Sequence, residues 1–141
     1  MASRRLELRG RPLVSGTAAG AALVLHQGLS FAMAVDVETG HIIDVHAGQA
    51  GESLIGRVLV MPSGRGSSSA STSLAEAIRL GTAPAAMVLG EVDEILAVGA
   101  IVARRLYGRT CPIIVLGATE RAQIVTKDRI TIAEDGVVTR S

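Results

Sequence analysis

The sequence predicts an α/β domain, on three observations. Short apolar runs punctuated by glycine fill the chain up to about Gly64, a strand–helix–strand–helix–strand alternation follows, and the composition supplies one aliphatic core. The chain has 141 residues, 48% of them apolar and 19% charged, with Phe31 and Tyr107 as its only aromatic residues. That length suits a single domain over residues 1–141, and no internal repeat or long linker divides it.

Leu13-Val14, Ala21 to Leu25, Met33 to Val37 and Ile42 to Val45 read as strands. Gly28, Gly40, Gly48 and Gly56 bound such runs, and glycine supplies the positive φ that tight turns need. Asp36 to Ile42 predicts a hairpin around Glu38 to Gly40. Leu54 to Met61, stopped by Pro62, reads as a buried strand containing the Val58 to Met61 run. The polar stretch Ser63 to Ser73 then opens a helix in which Leu74, Ala77 and Ile78 share one face and Gly81 forms the C-terminal cap. Pro84 to Leu89 is the next buried strand.

From Asp93 the pattern is helical again, with Ile95, Leu96, Val98, Ile101, Val102 and Leu106 as its apolar residues. Glu91, Asp93 and Glu94 charge and cap its start, Arg104 and Arg105 suit the negative end of its dipole, and Gly99 either bends the helix or splits it. Ile113 to Leu116, entered through Pro112, is a third buried strand. Gln123 to Val138 alternates in the manner of strands, with Arg129 to Ile132 and Val137-Val138 facing each other across a Glu134-Asp135-Gly136 turn.

Fourteen basic residues against 13 acidic ones leave a net charge of +1, too balanced for a protein that wraps nucleic acid or lies on anionic lipid. Arg4, Arg5, Arg9 and Arg11 read as a solvated basic tail. No apolar run reaches about 18 residues and no signal-peptide pattern opens the chain, so the expected location is the cytoplasm. The single cysteine, Cys111, makes no internal disulfide and by itself holds neither zinc nor an iron–sulfur cluster; it reads as a small buried apolar residue. His26, His41 and His46 lack metal-ligand spacing, so no metal ligand is assigned to this chain. Asp36 and Asp44 read as turn formers, and Arg57 as either a surface residue or a carboxylate binder.

The chemically informative segment is Pro62 to Ser73, in which six serines and a threonine join two glycines and an arginine. A flexible linker would connect domains, whereas this segment connects a strand to a helix of one unit. As an anion site, Gly64 and Gly66 would let the backbone approach a ligand at the helix N-terminus. The Gly-Lys-Ser/Thr ending of a nucleotide P-loop is missing. As a catalytic element, one serine oxygen would stand where free N–H groups and a nearby arginine stabilise its alkoxide. The residues alone leave the last two readings open.

Gly64-Arg65-Gly66-Ser67-Ser68-Ser69-Ala70-Ser71 is followed in order by Gly81-Thr82-Ala83-Pro84-Ala85-Ala86, Asp93-Glu94-Ile95, Gly99-Ala100-Ile101-Val102-Ala103 and Leu106-Tyr107-Gly108. This series resembles the small subunit of aconitase X, from about Gly10 to Gly117. The resemblance implies a swivelling β/β/α domain like the mobile fourth domain of aconitase, closing over an active site built mainly by a large partner subunit. It implies a hydro-lyase active only with that partner, with a loop serine removing a proton from the carbon next to a carboxylate.

Carried onto this chain, Ser67, the first serine after Gly66, is the proton acceptor, and Arg65, Gly66, Ser68 and Ser69 bind substrate. A serine hydroxyl is too weak a base unless helix N-terminal amides and positive charge stabilise its anion. Ser69 stands where aconitase has arginine, so the charge falls to Arg65 or to the partner. The implied iron, a cluster or a single ion acting as Lewis acid on the leaving hydroxyl, is held by the large subunit and not by this chain. Family members dehydrate cis-3-hydroxy-L-proline in bacteria and mevalonate 5-phosphate in archaea. Phe31-Ala32-Met33-Ala34-Val35-Asp36 stands where the family often shows Phe-Trp-Gly-Gly-Val-Asp. Abundant Arg and Ala with the single Lys127 favour the bacterial, hydroxyproline substrate. The alternative of another class is a non-catalytic module whose serine loop captures an anion and only regulates.

Overall fold

In the computed structural model, which describes residues 5–44, 49–65 and 68–141, strands β1 (Leu6–Arg9) and β2 (Arg11–Val14) follow each other with only Gly10 between them. Next come β3 (Ala18–Val24) and a separate two-stranded hairpin of β4 (Val35–Asp36) and β5 (His41–Ile42). Then β6 (Arg57–Met61), helix α1 (Ser69–Leu80), β7 (Ala86–Leu89), helix α2 (Glu94–Tyr107) and β8 (Ile113–Val115) alternate. A short helix α3 (Ala118–Arg121) and the strands β9 (Arg129–Ile132) and β10 (Val137–Arg140) end the chain.

Eight strands form one sheet in the order β1-β10-β9-β3-β6-β7-β8-β2. The two edge strands are therefore neighbours in sequence, and a one-residue corner between opposite edges requires the sheet to curl until those edges meet. Gly10 fills that corner: a Cβ there would stand 2.2 Å from Ile114 Cγ2. Strands β3, β6, β7 and β8 run parallel, with the β4–β5 hairpin in the first crossover and α1 and α2 as the next two. Their carboxyl ends consequently share one rim.

Side chains alternate across the parallel strands. Leu23, Leu59, Met61, Met87, Leu89 and Ile113 pack with Leu74 and Ile78 of α1, Leu96 of α2 and Phe31. Ala22, Val58, Val60, Ala86, Val88 and Ile114 point the other way, into a core closed by Leu8, Ile124, Ile130, Ile132 and Val138. Burial on both faces explains why these strands read as unbroken apolar runs.

The α/β class and the strand–helix alternation agree with the sequence reading. Both hairpins form, with Asp36 opposite His41 and Val138 opposite Ile132. Several details are corrected. The basic N-terminus is no tail from Leu6 onward: Leu8 pairs with Val138 and is buried, and Arg9 and Arg11 lie in β1 and β2. Arg4, Val45, His46 and Gly48 lie outside the described residues. The strand expected from Leu54 starts only at Arg57, because Gly56 turns the chain at φ 72°. Met33 belongs to a turn closed by the Ala34 N–H on the Ser30 carbonyl at 2.8 Å, leaving Val35–Asp36 as the strand. Residues 123–128 form no strand and include turns at 123 and 126–127, with Lys127 at φ 82°. Helix α2 runs unsplit through Gly99, and its buried face is Leu96, Gly99, Ala100 and Ala103. Ile95, Val98, Ile101, Val102 and Leu106 are exposed instead.

Candidate functional site on the carboxyl rim

Strands β3, β6, β7 and β8 release four connections onto the shared rim, whose described residues are 26–30, 62–65 with 68, 90–93 and 116–117. Ligands of parallel α/β sheets bind at such rims, where helices begin and their unpaired N–H groups point outward.

The serine loop is held to its neighbours through the backbone. The Pro62 carbonyl accepts the Gly90 N–H at 2.9 Å, tying the end of β6 to the end of β7. Gly64 bridges to Leu29, and the Arg65 N–H donates to the Leu29 carbonyl at 3.3 Å. Gly64 also presses on Asp93, whose Oδ2 would be 2.3 Å from a Cβ at position 64. The other carboxylate oxygen of Asp93 caps α2, accepting the Leu96 N–H at 2.9 Å. One aspartate thus orders both the helix start and the wall of the loop.

Ser68 is the N-cap residue of α1, with helical backbone angles (φ −56°, ψ −22°) and no side-chain capping bond. No acidic residue lies in the first turn of α1, so nothing there offsets the positive end of its dipole. The Ser71 hydroxyl donates to the Ile95 carbonyl at 2.5 Å and fixes that turn against α2.

Of the residues expected at the site, Gly66 and Ser67 lie outside the described residues. Arg65, Ser68 and Ser69 are exposed on the rim on either side of them. Arg65 lines a cavity of about 300 Å³ with Gly28, Ser30, Met33, Ala34 and Asp44. Met33, 79% exposed, and Ala34 are the residues of the 31–36 segment that line this cavity. An exposed cation, serine hydroxyls and the start of a helix are the chemical groups that suit an oxyanion.

The remaining candidates separate cleanly. Arg57 sits at the amino end of β6, where its Nη2 donates to the Ala22 carbonyl at 3.3 Å and its Nη1 lies 3.7 Å from Glu52. Arg57 thus lies at the opposite end of the parallel strands from the rim. Cys111 is fully buried, and burial pushes its thiol from 9.0 up to about 12. His41 is exposed on β5, whereas His26 lies on the rim. Among the described residues no three His, Cys, Asp or Glu side chains are grouped to hold a metal ion, and no helix is long and apolar enough to cross a membrane. Sequence reasoning missed Arg121, which reaches the rim from α3. The available signal was its position one turn beyond the third buried strand.

A family model for the aconitase X swivel domain matches residues 7–140. The chain is 50% identical over 107 residues to the cis-3-hydroxy-L-proline dehydratase of Pseudomonas aeruginosa, covering 76% of this chain and 18% of that protein. The match to the Hypocrea jecorina protein of the same name is 33% identical and covers 22% of it, so the chain spans only a minor part of both relatives. It is 40% identical over 98 residues to the phosphomevalonate dehydratase small subunit of Thermococcus gammatolerans, covering 70% of this chain and 75% of that one. The crystal structure of Thermococcus kodakaraensis aconitase X in its holo-form superposes with a TM-score of 0.85 at 31% identity, over 96% of this chain and 98% of that chain.

Proposed function

Because this chain belongs to the aconitase X swivel-domain family, we propose that it is the small subunit of a dehydratase, supplying Ser67 as the base for water loss from cis-3-hydroxy-L-proline. The observation that supports this reading is the position of residues 62–65 at the end of β6 on the rim of four parallel strands, and of Ser68 at the start of α1. The 50% identity to the Pseudomonas protein supports the hydroxyproline substrate. Mevalonate 5-phosphate is the second reading, supported by the 40% identity to an archaeal small subunit of comparable length.

Water loss breaks the C–H bond beside the carboxylate and the C–O bond on the next carbon. The serine oxygen takes the proton, the C–H electron pair becomes the double bond, and the hydroxyl departs and is protonated to water. Serine serves as base only where its anion is stabilised, and an α1 start free of acidic residues beside the exposed Arg65 supports that role. Arg65, Ser68, Ser69 and the backbone at Gly66 are assigned to the substrate carboxylate. The iron that the family resemblance implies is assigned to the large subunit, and no ligand for it is assigned to this chain.

The test is co-expression with a large aconitase X subunit, followed by assay of water loss from both substrates. The expected outcome is turnover of cis-3-hydroxy-L-proline by the complex and none by the isolated chain. Turnover of mevalonate 5-phosphate alone would overturn the substrate, and turnover of neither would overturn the dehydratase reading.

A further inference from the structure

A second cavity opens on the same rim, with no lining residue in common with the Arg65 cavity. Its volume is about 330 Å³, and its lining includes Leu25, His26, Pro62, Ala118, Arg121 and Ile124. Leu25 and Ile124 are buried, so the inner wall is apolar, while His26 and Arg121 bring the nitrogen donors.

Arg121 is half-buried, yet among the described residues no carboxylate lies within ion-pairing distance of it. Its one protein acceptor there is the Leu116 carbonyl, 3.5 Å from Nη1, at the limit of a hydrogen bond. A guanidinium carries five N–H donors in a planar fork, and one long bond leaves most of them for a ligand. The position of this fork is built into the fold. Nη1 lies over Gly90, where a Cβ would stand 2.3 Å from it and 2.7 Å from the Pro62 carbonyl. Any side chain at position 90 would displace the guanidinium from the rim. Gly90 and Pro62 are the residues whose hydrogen bond joins the ends of β7 and β6, so Arg121 is anchored over the base of the serine loop.

We infer that this cavity is an oxyanion subsite, in which Arg121, with His26 in the same lining, binds a carboxylate of the small acid handled at the rim. A carboxylate matches the fork, since two parallel N–H···O bonds satisfy both partners, and the apolar inner wall takes the carbon skeleton attached to it. The assignment of this acid as the substrate rests on the dehydratase reading; the existence of the subsite does not.

Two measurements keep these apart. The first titrates the 15N-labelled full chain with malonate and, separately, with inorganic phosphate. Saturable shifts are expected at the amides of His26, Gly90, Arg121 and Ile124 with malonate, and affinity about 10- to 100-fold weaker in Arg121→Gln, as loss of a charged hydrogen-bonding group entails. Arg121→Lys, which keeps the charge without the fork, should fall between them, and each spectrum reports that the variant is folded. Absent shifts, or equal affinity in wild type and Arg121→Gln, would overturn the subsite. Shifts with phosphate alone would overturn the carboxylate assignment. The second measurement uses the complex with the large subunit, where Arg121→Gln should raise KM for the hydroxy acid about 10- to 100-fold with kcat changed far less. An unchanged KM in an active complex would overturn the substrate role, whereas malonate binding beside an inactive wild-type complex would contradict the dehydratase reading alone.

Discussion

A Cβ placed on Gly99 would stand 2.6 Å from the carbonyl oxygen of Ser71 and 3.1 Å from its Cα. The backbones of α1 and α2 therefore touch at this crossing, and the Ser71 hydroxyl binds the Ile95 carbonyl one turn earlier in α2. Because α1 begins at Ser69, this contact sets where the serine loop ends. Gly99→Ala is expected to lower stability by about 1–3 kcal/mol, the usual effect of overpacking a tight contact. Urea denaturation measures it, and an unchanged midpoint would mean that the helices do not meet here.

The same crossing explains which face of α2 is buried, a point that its apolar pattern leaves open. Close approach to α1 selects small residues, so Gly99, Ala100 and Ala103 turn inward with Leu96 while Ile95, Val98, Ile101, Val102 and Leu106 stay exposed. Strand β1 was hidden for a related reason. Only Leu6 and Leu8 carry its alternation among charged neighbours, and its partner β10 lies at the other end of the chain. By contrast, the buried parallel strands and the C-terminal hairpin were legible, since continuous apolar runs and the Glu134-Asp135-Gly136 turn are local signals.

Asp93 carries two duties, and substitution separates them. Asp93→Ala removes the acceptor for the Leu96 N–H and should cost about 1 kcal/mol, while Asp93→Asn, which keeps an acceptor oxygen, should cost less. Thermal unfolding of the two variants checks the order. Equal stability of Asp93→Ala and wild type would show that the cap contributes nothing.

Burial holds the Cys111 thiol at about 12 against 9.0 for an exposed thiol. The native chain thus keeps a proton that the unfolded chain releases. Its contribution to stability is whole below pH 9.0 and is lost progressively as pH rises toward 12. Native protein should leave a disulfide reagent unreacted at neutral pH and react on unfolding. Between those two pH values wild type should lose stability faster than Cys111→Ala. Rapid labelling of the native thiol would contradict the burial.

The site itself was partly legible. The serine-rich segment between a strand and a helix announced the loop, because hydroxyls and glycines in that position serve a helix start. Its surroundings were not legible, since Asp93 against Gly64, Leu29 beside Arg65 and Arg121 over Gly90 are brought together only by the parallel order of β3, β6, β7 and β8. Residues that meet at strand ends leave no common spacing in the chain.

The central claim is that Ser67 takes the proton. Its most direct measurement is turnover of cis-3-hydroxy-L-proline by the assembled complex carrying Ser67→Ala, beside wild type and Ser68→Ala, with assembly verified for each. The account predicts that Ser67→Ala loses about 10²–10⁴-fold in kcat, as removal of a general base does, while Ser68→Ala loses far less. Full turnover by an intact Ser67→Ala complex would contradict it.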